Sequence, residues 1–104
     1  MDAQYSIIIT TCSSPEDAKP IIDALLSEKL AACIQTYPIN SFYLWKGTVA
    51  NDPETILLIK AKAENFSSIK DSILKNHKYE LPEIIQVPIV GGYDKYLRWI
   101  DNPT

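Results

Sequence analysis

The sequence predicts an α+β fold: a ferredoxin-like βαββαβ sandwich with a long central hairpin and a C-terminal helix. Three observations carry this prediction. Short β-branched runs alternate with segments of helical period. Two strand runs follow one another mid-chain with only turn residues between them. A further helical segment and a last strand then close the pattern, which is the split βαβ order of ferredoxin-like domains. Right-handed crossovers give an antiparallel sheet of spatial order 4-1-3-2 with both crossover helices on one face.

The elements follow in order. Gln4–Thr11 is short and apolar through Ile7, Ile8 and Ile9, as expected of a buried strand. Ser13-Ser14-Pro15-Glu16-Asp17 starts a helix: serine accepts from free amides, proline fits the first helical position, and the carboxylates favour the positive end of the dipole. Ala18, Ile21, Ile22, Leu25 and Leu30 carry its apolar stripe to a stop near Lys29, with Pro20 expected to loosen the early turns. Ala31–Trp45 predicts a long strand in which Tyr37-Pro38 requires a bulge or bend. Turn chemistry over Lys46-Gly47 through Asn51-Asp52-Pro53 leads into a returning strand, Glu54–Lys62. Asn65 is expected to cap a second helix with Phe66, Ile69 and Ile73 on one face, and Pro82 stops it. Glu83–Val90, with Pro88 inside it, predicts an edge or bulged strand. After Gly91-Gly92, a terminal helix carries Tyr93, Tyr96, Leu97 and Ile100.

Composition bounds the function. At 104 residues the chain has room for one core, and 1–104 reads as a single domain. A 46% hydrophobic and 22% charged composition excludes a disordered or fibrous chain. A net charge of −3 gives no footprint for nucleic acid, and there is no basic cluster for an anionic membrane surface. The longest apolar runs, Ile7–Ile9 and Ile56–Ile59, fall far short of the roughly 20 residues of a membrane span. MDAQYSIII has no basic residue before its apolar run, so it is expected to be a strand and not a signal peptide. With only two cysteines, Cys12 and Cys33, the expectation is free thiols in a reducing cytoplasm.

The hairpin is too long for its owner. A compact chain of this size has a radius of gyration of about 13 Å, a body roughly 33 Å across. A strand of about 14 residues reaches near 46 Å. The overhang would carry Phe42, Tyr43, Leu44 and Trp45, which as an apolar patch favour oligomerisation.

Chemistry is sparse. No histidine stands beside a plausible serine nucleophile, and Gly91-Gly92 is a turn and not a phosphate loop, so no catalytic residue and no enzyme activity are expected. Thiolate and imidazole donors suit copper or zinc. The end of the first strand and the end of the second helix lie at the same end of such a sandwich, so Cys12 and His77 can approach each other, whereas Cys33 begins the second strand at the opposite end.

Five strings, EKLAACI (Glu28–Ile34), SFYLWKG (Ser41–Gly47), ETILLIKAK (Glu54–Lys62), HKYELPEI (His77–Ile84) and GGYDKYLRWI (Gly91–Ile100), together closely resemble the CutA family of divalent-cation-tolerance proteins, from about Ile7 to Ile100. The resemblance implies a ferredoxin-like subunit in a tight homotrimer built through its long strands, similar in architecture to PII signalling proteins. It further implies binding of copper or another divalent cation without a firm enzymatic activity. It makes Cys12, Cys33 of the LAAC motif and His77 of an H-P-Y motif the metal-ligand candidates. Here Lys78 stands where proline is usual, which frees a backbone donor and adds a cation beside His77. Glu54, Lys60, Tyr79 and Glu83 match family positions. With Tyr43 and Trp45 they are candidates for a cleft between subunits, where a PII-like regulatory trimer would bind a small metabolite.

Overall fold

The computed structural model describes residues 3–104. In chain order it holds β1 (Tyr5–Cys12), α1 (Pro15–Ser27), β2 (Cys33–Trp45), β3 (Thr48–Lys62), a 3-10 turn (Ala63–Asn65), α2 (Phe66–Asn76), β4 (Ile85–Ile89) and α3 (Asp94–Asp101). Every strand pair is antiparallel and the order is β2-β3-β1-β4, the expected 4-1-3-2 read from its other edge. This is the ferredoxin-like α+β sandwich.

Local sequence explains the helix ends. Ser14 accepts from the Asp17 N–H at 3.2 Å, and Pro15 takes the first helical position. α1 closes at Lys29, whose φ of 58° lets the Leu30 N–H reach Leu25 O at 3.0 Å and its own N–H reach Leu26 O at 3.1 Å. Pro20 sits inside α1 with its ring exposed, and the helix runs through it because the carbonyl that loses a donor can be hydrated. Asn65 does not cap α2. Its side chain donates instead to Leu30 O at 3.1 Å, tying the start of α2 to the end of α1.

The core forms where β1 and β3 meet these two helices. Ile8, Leu57 and Ile59 from the sheet pack with Ile21 and Leu25 of α1 and Ile69 and Ile73 of α2, all buried. α3 lies on the opposite face, where Tyr5 Oη donates to Asp101 Oδ2 at 2.7 Å and Lys60 Nζ donates to Tyr96 Oη at 3.3 Å. Thr10 pairs with Leu57 on the helix-covered face and is fully buried, yet its Oγ1 has no hydrogen-bond partner. An unmatched buried hydroxyl costs about 1–3 kcal/mol. Thr10→Val, which keeps the shape, is therefore expected to raise Tm by several degrees. Calorimetry of the two proteins checks this, and an unchanged or lower Tm refutes it.

Two expectations about the hairpin are corrected. Its turn is only Lys46-Gly47, with φ of 51° and 82°, the positive pair that a two-residue hairpin turn demands. Asn51, Asp52 and Pro53 belong to β3. Nor does Tyr37-Pro38 make a bulge: pairing runs without interruption from Cys33↔Lys60 to Trp45↔Thr48. The strand prolines all lie where one flank of the ladder is vacant. Pro38 is on edge strand β2, Pro88 on edge strand β4, and Pro53 lies past the last β1–β3 partner, Cys12↔Thr55.

Because β1 pairs only with Thr55–Lys62, the hairpin from Ile39 through Glu54 projects beyond the sandwich. The molecule is 44 Å long against 28 and 22 Å in its other dimensions. Phe42, Leu44 and Val49 on the projection are 70–75% exposed, so the aromatics do not fold back onto their own sheet.

Candidate functional site

His77 follows the last residue of α2 in an extended conformation, which turns the chain back across the end of β1. That places its ring against Cys12, with Nε2 3.8 Å from Sγ. The ring makes two stronger contacts. Nδ1 accepts the Tyr79 N–H at 3.0 Å, and Nε2 lies 2.8 Å from the carbonyl oxygen of Thr11. Cys12 is buried, and desolvation, helped by the charges of Asp17 and Glu54, pushes its thiol up to about 11. It is a thiol at neutral pH, not a thiolate.

Cys33 does not join this pair. It faces Lys60 on β3, whereas Cys12 faces Thr55, five residues and about 17 Å away along the strand. The faces differ too: Thr55, Leu57 and Ile59 point to the helices, and Lys60 points to the other side. Among the described residues, no group of three or more His, Cys, Asp or Glu side chains is placed to hold a metal ion. Cys12 and His77 are two donors where a structural copper or zinc centre takes three or four, so as arranged they fall short of one.

The second constellation is a cleft. Where the hairpin leaves the sandwich, its root and the segment following α2 enclose a cavity of about 640 Å³. Tyr43, Trp45, Glu54, Tyr79 and Glu83 all line it. Lys60 does not. It lies six residues from Glu54 along β3, about 20 Å away, with its ammonium 5.3 Å from the centre of the Tyr96 ring. Tyr79 Oη donates to Glu54 Oε2 at 2.7 Å, and burial followed by this bond raises the phenol well above its ordinary value. Tyr43 Oη donates to Asp52, which raises its phenol too. The cleft wall therefore carries the Tyr79–Glu54 pair and the Tyr43 phenol, held by Asp52 outside the lining, and both phenols are neutral at physiological pH.

Three partners carry no signal in the sequence that marks them for the site. Asp52 reads there as turn chemistry, although the two-residue turn puts it diagonal to Tyr43. Thr11 acts through its carbonyl, which no side-chain pattern reports. Asp17, a helix-start residue by sequence, accepts from Lys78 Nζ at 2.8 Å, so Lys78 fastens this segment to α1.

Lys78 and Ser13 hydrogen bonds, in that order, lower the Asp17 pKa. A carboxylate lowered in the folded state stabilises above its unfolded pKa, about 3.9, and the contribution disappears as pH falls through the lower folded value. Asp17→Asn is thus expected to lower Tm at pH 7 by a small amount and to match the parent in acid, below the folded pKa. Melting curves across this range test it; a gap that persists in acid would show that charge is not its cause.

The described residues contain no helix long and apolar enough to cross a membrane. Known proteins supply the family context. A family model described as CutA1 divalent ion tolerance protein matches residues 6–103. The chain is 36% identical over 98 residues to the divalent-cation tolerance protein CutA of Archaeoglobus fulgidus, covering 94% of this chain and 96% of that one. It is 38% identical over 99 residues to a chloroplastic CutA of Arabidopsis thaliana, covering 94% of this chain and 54% of the relative. The chain thus spans about half the length of the plant relatives it matches. The crystal structure of CutA1 from Shewanella sp. SIB1 superposes with a TM-score of 0.93 at 34% identity, covering 100% of both chains. The structure of the periplasmic CutA from Archaeoglobus fulgidus gives 0.90 at 36% identity, covering 93% of this chain and 95% of that one. These names describe tolerance to divalent cations and not an enzyme. The match takes in the whole sandwich, the projecting hairpin and α3, and on it the chain belongs to the CutA1 divalent ion tolerance family.

Proposed function

We propose that this chain works as a homotrimer in divalent-cation tolerance, associating with copper or another divalent cation without catalysing a reaction. The observation that carries the assembly is the projecting hairpin. It exposes Phe42, Leu44 and Val49 on one face and Trp45 on the other, apolar surface costly to leave in water, and its strand edges are open to pairing with another chain. The helix-free sheet face adds half-buried Ile7, Ile9, Ile56 and Leu58. The cation part rests on the names of relatives of this chain. Of the thiol and imidazole donors, Cys33 is the one on the helix-free face, where a neighbour would pack, so a soft cation would be met there and weakly. Two free cysteines fit a reducing compartment, and we place the chain in the cytoplasm.

Sedimentation velocity and a copper titration against a competing chelator test this reading. A single species of about 35 kDa, three times 11.7 kDa, and saturable copper uptake reduced by Cys33→Ser support it. A stable monomer, or copper uptake identical in both proteins, refutes the corresponding part.

One observation favours a second reading. The cleft at the hairpin root offers aromatic faces, the Tyr79–Glu54 pair, the Tyr43 phenol and room for a small molecule, the equipment of a ligand site in a PII-like regulatory trimer. Saturable thermal stabilisation by a metabolite, lost in Glu54→Gln, would establish it.

A further inference from the structure

We propose that His77 is a positioning residue that holds the Tyr79 wall of the cleft against β1, and that it is not a ligand for copper or another divalent cation in the folded chain. Hydrogen-bond direction decides this. A backbone amide can only donate and a backbone carbonyl can only accept. Since the Tyr79 N–H points at Nδ1 at 3.0 Å, Nδ1 carries the lone pair. Since Nε2 lies 2.8 Å from Thr11 O, Nε2 carries the proton. One neutral tautomer satisfies both contacts, and it uses the whole capacity of the ring.

A metal-bound histidine commonly gives one N–H to a carbonyl and its other nitrogen to the ion. The first half of that arrangement is present here, in the bond to Thr11. The second is occupied, because the nitrogen left for an ion is the one held by the Tyr79 amide. Cys12, buried beside the ring, lies 3.8 Å from the protonated Nε2 and not beside Nδ1, the only nitrogen with a lone pair.

The same bonds form a connected path. His77 ties the segment to the end of β1, and its ring packs on Tyr79 with centroids 4.8 Å apart. Tyr79 Oη then reaches Glu54 on β3. Lys78, between them, is fastened to Asp17 on α1. Three successive residues, 77 to 79, are each anchored to a different element, which fixes where the Tyr79 ring stands in the cavity. The cleft half of this inference rests on the ligand-site reading above; the tautomer and the exclusion of a metal do not.

The test is a long-range ¹H–¹⁵N correlation spectrum of the imidazole in the intact chain, before and after equimolar Zn(II) as a diamagnetic probe. The expected spectrum shows a protonated Nε2 and an unprotonated Nδ1, unmoved by zinc. Two variants extend it. His77→Ala removes both bonds, whereas His77→Asn retains a local side-chain acceptor for the Tyr79 amide. Tyr79 amide exchange is expected to accelerate at least tenfold in His77→Ala and to recover in part in His77→Asn. Copper affinity is expected to change less than twofold in either. A zinc-dependent shift of Nδ1, a tenfold loss of copper affinity in His77→Ala, or unchanged Tyr79 exchange overturns the proposal. If the alanine variant does not fold, the spectrum of the parent protein still decides. A failed search for a cleft metabolite would overturn the ligand-site reading while leaving these readouts intact.

Discussion

In the proposed trimer, Leu44→Asp combined with Val49→Asp is expected to release a monomer and to lower Tm by about 20 °C. The two residues face each other across the hairpin and are among its most exposed apolar side chains, so nothing inside the chain relies on them. If a neighbouring chain buries both, roughly 2 kcal/mol of apolar burial is lost at each, and about 4 kcal/mol in a domain of this size corresponds to some 15–30 °C. Paired carboxylates facing each other add repulsion inside the contact. Sedimentation velocity and thermal melts at two protein concentrations check the result. The parent Tm should rise with concentration and the variant Tm should not, since dissociation is linked to unfolding only in an assembly. A variant that keeps the parent's mass and Tm would show that the hairpin is not the contact.

Leu57→Ala is expected to cost about 3 kcal/mol, because Leu57 is fully buried between β1 and the two helices, and removing such a side chain costs about 2–5 kcal/mol. In urea the midpoint should fall while the slope stays constant, the sign of lost packing and not of a changed unfolded state. The neighbouring Leu58→Ala provides the contrast. Leu58 is half-buried on the helix-free face, so its removal should weaken association more than the fold of one chain. A Leu57→Ala cost below about 1 kcal/mol, or equal costs at 57 and 58, would contradict the assignment of the two faces.

Much of the architecture was legible because local chemistry and global topology agree in this chain. Ser14-Pro15 starts α1, Lys46-Gly47 contains the residues a tight hairpin needs, and alternation of strand with helix restricts the sheet to one order. Length alone predicted the overhang. Asn51-Asp52-Pro53 misled because turn-prone residues are equally tolerated where a strand has one vacant edge, and a vacant edge is a property of the neighbours. For the same reason Pro38 needed no bulge.

The site divides along the same line. Residue types in the sequence named the groups that could meet soft cations, Cys12, Cys33 and His77, and the family resemblance named those that could line a cleft. The string ILLI at 56–59 specifies a buried strand but not which of its residues face helices and which face a partner. Only the tertiary structure sends Cys12 and Cys33 to opposite faces, gathers Tyr43, Trp45, Glu54, Tyr79 and Glu83 around one cavity, and leaves Lys60 with Tyr96. It alone decides the state of His77, since the groups that settle its tautomer are the backbone carbonyl of Thr11 and the backbone amide of Tyr79. Every residue but proline carries those two groups, so their effect depends on where the fold aims them and leaves no mark on the order of side chains.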